Sequence, residues 1–163
     1  MRSIIASLLI IAIAVPSAAQ TALRGPNHNA VRAGLEIMAL SMDTDQNGLL
    51  DQTELRSGAE AVFRSMDGDA DGYLLHTEMT AWDQGFGDIA THQGRDQAYE
   101  ATMGVIFGLF DTDASGRLAQ HEYVEGVTTA ARYADLDGDG AMSLAEMHSH
   151  FLPAIAIQSS LPE

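Results

Sequence analysis

The acidic residues of this chain are concentrated in four short segments that repeat one pattern. In each segment, Asp stands at the first and third positions, Gly at the sixth and Glu at the twelfth. The segments span residues 43–54, 67–78, 111–122 and 135–146, and they hold 15 of the 23 acidic residues. A solvated acidic turn would explain a single copy, but four copies in register indicate one shared chemical purpose.

The spacing matches the needs of a hard cation such as calcium. Calcium takes about six to eight oxygen ligands, and a 12-residue loop offers them from positions 1, 3, 5, 7, 9 and 12, with a backbone carbonyl at position 7. Gly at position 6 allows a sharp left-handed turn. The candidate metal ligands are Asp43, Asp45, Asn47, Leu49, Asp51 and Glu54 in the first loop; Asp67, Asp69, Asp71, Tyr73 and Glu78 in the second; Asp111, Asp113, Ser115, Arg117 and Glu122 in the third; and Asp135, Asp137, Asp139, Ala141, Ser143 and Glu146 in the fourth.

These loops resemble those of the EF-hand family, and the resemblance covers the chain from about Leu35 to Leu152. Apolar residues before the loops agree with it, such as Phe107 and Phe110 at helical spacing ahead of the third loop. The resemblance implies an all-α fold of four EF-hand helix–loop–helix motifs, with short β rungs between paired loops and up to four bound Ca²⁺ ions.

The two halves of the chain are similar to each other. A shift of 68 residues places the first two loops on the last two, Gly58 on Gly126 and Arg64 on Arg132. The chain is therefore interpreted as a duplicated two-loop unit. The predicted organisation is a signal peptide (1–19), an N-terminal segment (20–34), EF-hand unit 1 (35–86), a linker (87–99), EF-hand unit 2 (100–152) and a tail (153–163).

The gap between the loops of one unit is unusually short. Only 12 residues separate the first loop from the second, and the same gap separates the third from the fourth. Residues 52–66 are therefore predicted to form one helix, about 22 Å long, whose two ends are too far apart for its loops to pair as strands about 5 Å apart. We expect the second loop to pair with the third and the first with the fourth. The alternative breaks the connecting helices at Gly58 and Gly126 and pairs neighbouring loops.

Short spacing between loops is also similar to that of the lanmodulin family of periplasmic, lanthanide-binding EF-hand proteins. This second resemblance implies lanthanide binding as an alternative to calcium binding. The chain departs from that family at loop position 2, where Pro is replaced by Thr44, Gly68, Thr112 and Leu136. It departs again at position 9, where Asp occurs only as Asp51.

The N-terminus has the pattern of an export signal. A largely apolar run from Ile4 to Val15 follows Arg2 and leads to small residues ending at Ala19. The run is shorter than the roughly 20 apolar residues that span a bilayer, so it predicts a signal peptide cleaved before Gln20. The product is expected to be periplasmic or secreted, with no stable membrane insertion after cleavage.

Composition narrows the class of function. A net charge of −15 disfavours nucleic acid and favours metal cations as partners. The absence of cysteine excludes disulfides and thiolate metal sites. Neither a Ser–His–Asp set nor a phosphate-binding loop is found, so no enzyme is indicated, and His148 and His150 are expected on the solvated surface.

Three interpretations of function remain open. The first is an exported calcium-binding protein that buffers calcium or depends on it for folding or partner binding. The second is a lanthanide-binding protein. The third is a calcium sensor that presents a methionine-rich groove to a protein partner, as EF-hand sensors do; for the methionines themselves, packing in the core is the favoured interpretation.

Overall fold

The computed structural model describes residues 30–82 and 84–161. The predicted signal peptide (1–19) lies outside the described residues, as does most of the predicted N-terminal segment (20–34). The part of that segment that is described, from Ala30 onward, belongs to the first helix rather than to a separate segment.

The described chain is mostly helical, as the all-α expectation requires, with eight helices and four short strands. The helices are α1 (Ala30–Met42), α2 (Gln52–Met66), α3 (His76–Ala81), α4 (Phe86–Gln93), α5 (Asp96–Phe110), α6 (Gln120–Ala134), α7 (Leu144–His150) and α8 (Leu152–Ser160). The strands are β1 (Leu49–Asp51), β2 (Tyr73–Leu74), β3 (Leu118–Ala119) and β4 (Ala141–Ser143). None of the helices described here combines the length and the apolar character that crossing a membrane requires.

The helices that connect the loops of each unit are continuous. The predicted helix over residues 52–66 is confirmed as α2, and α6 is its counterpart in the second unit. The alternative with breaks at Gly58 and Gly126 is wrong. The side chain of Met42 lies so close to Gly58, and that of Phe110 so close to Gly126, that an added Cβ atom would overlap them. These glycines allow the incoming helix to approach the connecting helix closely.

The strands pair as the short spacing predicts. Strand β1 pairs with β4 and β2 pairs with β3, both antiparallel. The apolar residues at loop position 8 face each other in these pairs, Leu50 opposite Met142 and Leu74 opposite Leu118. All four side chains are at most 4% exposed, so each strand pair anchors two loops to the core.

The two connecting helices form the centre of the fold. Since each one ends at a different strand pair, α2 and α6 run antiparallel, and they pack directly on each other. The ring of Phe63 on α2 lies 6.0 Å from that of Tyr123 on α6. Helix α1, which precedes the first loop, contacts α7, which follows the fourth strand, and α5, which precedes the third loop, contacts α3, which follows the second strand.

The methionines belong to the core, as predicted. Seven occur in the described residues: Met38, Met42, Met66, Met79, Met103, Met142 and Met147. Five are buried, while Met38 and Met42 are partly buried and pack against the core. All seven line one cavity of ≈ 110 Å³ to which every one of the eight helices contributes.

The predicted linker (87–99) is corrected, because most of it is helical. Helix α4 begins at Phe86 and buries that residue together with Ala90. It ends at Gln93, and Gly94 follows with a positive φ of 66°, which is typical of the residue after a helix. Helix α4 packs against α1 and α5, so this segment closes one side of the core.

The predicted tail (153–163) is corrected as well. Residues 152–160 form helix α8, and Pro153 lies in its first turn, where the missing N–H is tolerated. Helix α8 packs against α5 and α7. The guanidinium Nε of Arg95 donates to the carbonyl oxygen of Ser160 at 2.6 Å, which ties the end of α8 to the start of α5.

We predict that Gly126→Ala and Gly108→Ala change stability in opposite directions. Both glycines lie inside helices, where Ala is favoured by about 1 kcal/mol. At exposed Gly108 no atom meets the added methyl group, so the free energy of unfolding should rise by about that amount. At Gly126 the methyl group overlaps the Phe110 ring, and overpacking should give a net loss of about 1–2 kcal/mol. Urea denaturation measures both, and equal effects would contradict the close approach of α5 to α6.

Candidate metal centres

All four loops share one backbone conformation. The residue at position 6 is glycine with φ between 81° and 88°. Position 4 is left-handed too, although it is glycine only in the fourth loop, as Gly138; the other three residues are Gln46, Ala70 and Ala114, with φ of 60°, 58° and 56°. The turn at position 6 was predicted from its glycine, whereas the left-handed residue at position 4 was not predicted.

The aspartate at position 1 closes each loop. One of its carboxylate oxygens accepts a hydrogen bond from the N–H of the glycine at position 6, at 2.9–3.1 Å. The aspartate at position 3 accepts from the N–H at position 5, at 2.9–3.2 Å. The backbone N–H groups of each loop therefore hold the carboxylates at positions 1 and 3 in place. The residues are Asp43, Asp67, Asp111 and Asp135 at position 1, and Asp45, Asp69, Asp113 and Asp137 at position 3.

The glutamate at position 12 spans each loop in the same way. One carboxylate oxygen accepts from the N–H at position 2, at 2.7–3.2 Å. The other accepts from the N–H at position 9, at 2.9–3.2 Å. These glutamates, Glu54, Glu78, Glu122 and Glu146, are also the third residues of α2, α3, α6 and α7. A negative charge is stabilised there by the helix N-terminus.

The carboxylates form four groups that could each hold a metal ion. In every group, three residues each place one oxygen within 4.8 Å of the others. The groups are Asp43, Asp45 and Glu54; Asp67, Asp69 and Asp71; Asp111, Asp113 and Glu122; and Asp135, Asp137 and Glu146. The predicted ligands at positions 1 and 3 are thus brought together in all four loops, whereas the position-12 glutamate joins them in three.

Positions 5 and 7 are linked by a short hydrogen bond. The side-chain oxygens of Asn47, Asp71 and Asp139 accept from the N–H groups of Leu49, Tyr73 and Ala141, respectively, at 2.7–2.9 Å. This hydrogen bond holds the backbone at position 7, where the sequence predicts a carbonyl ligand.

The residues predicted at position 9 act at the helix ends. The carboxylate of Asp51 accepts from the N–H groups of Thr53 and Glu54, at 2.7 and 2.9 Å. The hydroxyl of Ser143 accepts from the N–H of Glu146 at 3.3 Å and donates to its carboxylate at 2.8 Å. Both are N-caps, of α2 and α7, and neither belongs to the acidic groups.

The third loop differs from the others. The hydroxyl of Ser115 donates to the carbonyl oxygen of Arg117 at 2.9 Å, and this carbonyl is the predicted ligand at position 7. The guanidinium of Arg117 lies 3.8 Å from the ring centroid of Tyr73, the residue at the same position of the paired second loop. Hydrogen bonds from Ser115, together with the weaker influence of the Arg117 charge, lower the pKa of Asp113. The positively charged guanidinium of Arg117 therefore lies between the second and third loops.

Two threonines that sequence reasoning missed contact the position-12 glutamates. The hydroxyl of Thr44 donates to the carboxylate of Glu54 at 2.9 Å, and that of Thr112 donates to Glu122 at the same distance. Both occupy loop position 2, and they coincide under the 68-residue shift. The repetition of Thr at this position in both units is the sequence feature from which their role could have been predicted.

Hydrogen bonding keeps the glutamates acidic. The Thr44 hydroxyl is the principal cause of the lowered pKa of Glu54. Backbone N–H groups of Ser143 and Leu136 lower the pKa of Glu146 to about 2. These carboxylates are therefore ionised at neutral pH, which is the form that binds cations.

His148 contradicts the expectation that the histidines lie on the solvated surface. Its side chain is 7% exposed, and its Nε2 lies 3.0 Å from the carboxylate of Glu36 on α1. Arg32 also contacts this carboxylate, at 3.1 Å. Burial lowers the pKa of His148. His150, two residues further on, is exposed as expected.

The fold and these loops define the class: an acidic, mostly helical protein with four oxygen-rich groups that could each hold a metal ion. Comparison with protein-family models and with curated proteins finds no match for this chain. The case for a function therefore rests on the geometry and chemistry of the loops themselves.

We predict that Glu146 stabilises the metal-free fold above pH 5 and loses this effect as the pH falls towards 2. Its folded pKa of about 2 lies below the ordinary value of 4.5, so acidification protonates the unfolded state first. The difference in unfolding free energy between the wild type and Glu146→Gln should be greatest at neutral pH. Urea denaturation of chelator-treated protein measures it. Ser143→Ala, which removes one of the hydrogen bonds, should be intermediate, and a difference that is constant with pH would contradict this assignment.

Proposed function

We propose that this chain is a non-catalytic EF-hand protein that binds calcium in its four acidic loops and acts outside the cytoplasm. The observation that carries the proposal is the set of carboxylate groups, whose oxygens lie within 4.8 Å of one another in every loop. Oxygens on opposite sides of a calcium ion, each about 2.3–2.6 Å from it, are separated by about 4.6–5.2 Å. Each group therefore has the size of a calcium coordination shell.

The chemistry of the donors supports calcium. The acidic groups contain carboxylates and neither histidine nor cysteine, which suits a hard cation and not a transition metal. Magnesium takes shorter bonds in a stricter octahedral geometry and usually keeps several waters, so a loop with six ligand positions suits calcium better. Lanthanide ions also prefer oxygen donors. Loop positions 2 and 9 differ from the lanmodulin pattern, so lanthanides are the second candidate.

Charge explains why the fold would depend on the cation. The chain carries a net charge of −15, and most of its carboxylates are crowded into the loops. Like charges at such distances repel one another strongly. Four divalent cations would neutralise about half of the net charge, so binding should be linked to folding or compaction. The apolar run at residues 4–15 supports export to a compartment in which calcium is plentiful.

We predict that the protein binds up to four equivalents of calcium and that the Glu54→Gln variant binds one fewer. This substitution takes away one carboxylate oxygen from a group that the structure brings together. Calorimetric titration with calcium, magnesium and lanthanum counts the sites, and circular dichroism follows the coupled compaction. Glu100→Gln, at an exposed position of α5, is the matched control and should bind as the wild type does. No heat with either calcium or lanthanum at millimolar concentration, or identical spectra with chelator and with calcium, would refute the proposal.

We predict that the third loop is the weakest site and that Ser115→Asp strengthens it. The loop has three carboxylates where the others have four, and the Ser115 hydroxyl competes for the carbonyl of Arg117. The added carboxylate should tighten calcium binding about tenfold, or about 1.4 kcal/mol. Ser159→Asp adds the same charge at an exposed position of α8 and should have little effect. A titration in which the third loop fills first would show that the number of carboxylates does not determine the order.

A further inference from the structure

An apolar cavity that is partly open to solvent lies among the eight helices. Protein interiors are close-packed, and voids larger than a water molecule are few, yet the cavity between the eight helices measures ≈ 110 Å³. Apolar side chains dominate its lining, including every methionine in the described residues. The indole N–H of Trp82, one of the few polar groups nearby, is already bonded to the hydroxyl of Ser65 at 2.9 Å. Water is a poor occupant, because it needs two to four polar partners.

The cavity adjoins all four loops. The residue that directly follows the position-12 glutamate lines it in every case: Leu55, Met79, Tyr123 and Met147. Leu50 and Met142, which face each other across the pair β1–β4, line it as well. A change in the position of a loop glutamate therefore moves a side chain of the cavity wall.

We propose that this cavity binds one small, uncharged apolar molecule of about the size of benzene, and that its occupancy is thermodynamically linked to cation binding by the loops. The linkage rests on the proposed function, whereas the binding site does not. The occupant must be small because the cavity is far below the size of a peptide helix. It must be apolar because the lining has no charged side chain. Methionine side chains are flexible and polarizable, so they adapt to such a molecule.

Linkage is reciprocal. If calcium changes the affinity of the cavity for the apolar molecule by some factor, the molecule changes the affinity for calcium by the same factor. Typical couplings between two sites are about 5- to 150-fold. A coupling of at least fivefold is expected here, because all four loops contribute a wall residue.

The first experiment titrates the metal-free full chain with benzene and follows the methionine methyl groups by NMR after ¹³C labelling. Since all seven described methionines line the cavity, their resonances should shift together and saturate. Benzoate, which adds a charge to the same ring, should cause no saturable shift. The absence of saturation with benzene would overturn the binding site, even if calcium binding is intact.

Two variants that fill the cavity from different helices test the location. Val127→Phe on α6 and Ala154→Leu on α8 should each weaken benzene binding at least tenfold. Val105→Phe makes the first substitution at a position that is 62% exposed on α5, and it should bind benzene as the wild type does. Unchanged binding in a folded cavity variant would overturn the assignment to this cavity.

The second experiment repeats the benzene titration at saturating calcium. A fivefold or larger change in affinity supports the linkage, and an equal change in calcium affinity at saturating benzene must accompany it. Equal benzene affinities with and without calcium would overturn the linkage alone. Should the chain fail to bind calcium, the proposed function fails, while the metal-free titration still decides whether the cavity is a binding site.

Discussion

The arrangement of this protein depends on the length of the helices that connect its loops. A helix of 15 residues holds its ends about 22 Å apart, so the two loops of one unit cannot share a strand pair. Each loop must find its partner in the other unit, which brings α2 and α6 together antiparallel and places the loop pairs at opposite ends of the fold. Gly58 and Gly126 serve this arrangement in equivalent positions, because each receives the side chain that immediately precedes the first loop of its unit.

The second constraint is electrostatic. Every loop carries three or four carboxylates, and in the structure backbone N–H groups at positions 2, 5, 6 and 9 are directed at them. Charge-assisted hydrogen bonds of this kind are stronger than neutral ones, but they are donated by neutral groups and leave the net charge unchanged. Repulsion among the carboxylates therefore persists within an organised loop. The loops combine a preformed geometry with an unbalanced charge, which is the condition under which a cation binds with little reorganisation.

Much of the fold and of the loop geometry could be predicted from the sequence, and the reason for each success or failure differs between elements. The loop conformation follows from residue types at fixed positions, and the course of α2 and the strand pairing follow from a simple length argument. Helix α4 was missed because Gly87 and Gly94 obscured the apolar spacing of Phe86, Ile89 and Ala90. The role of Gly126 depends on Phe110, which is distant from it in the incoming helix, so it could not be deduced from propensity. The stacking of Arg117 on Tyr73 was not predicted, because it depends on the side-chain geometry of two paired loops that lie far apart in the chain.

The loops are not independent of one another or of the core. Helix α2 connects the first loop to the second, and α6 connects the third to the fourth. Strand pairs join the second loop to the third and the fourth to the first, so the four loops are connected in a ring. The position-12 glutamate lies where these connections meet, because it bonds to both ends of its loop and belongs to the first turn of the following helix. A force that moves this carboxylate acts on the loop, the helix and the adjacent core side chain together. The pair of the second and third loops already contains the guanidinium of Arg117, whereas the loops of the other pair contain no basic residue. The two ends of one duplicated fold therefore present different electrostatic fields to the same cation.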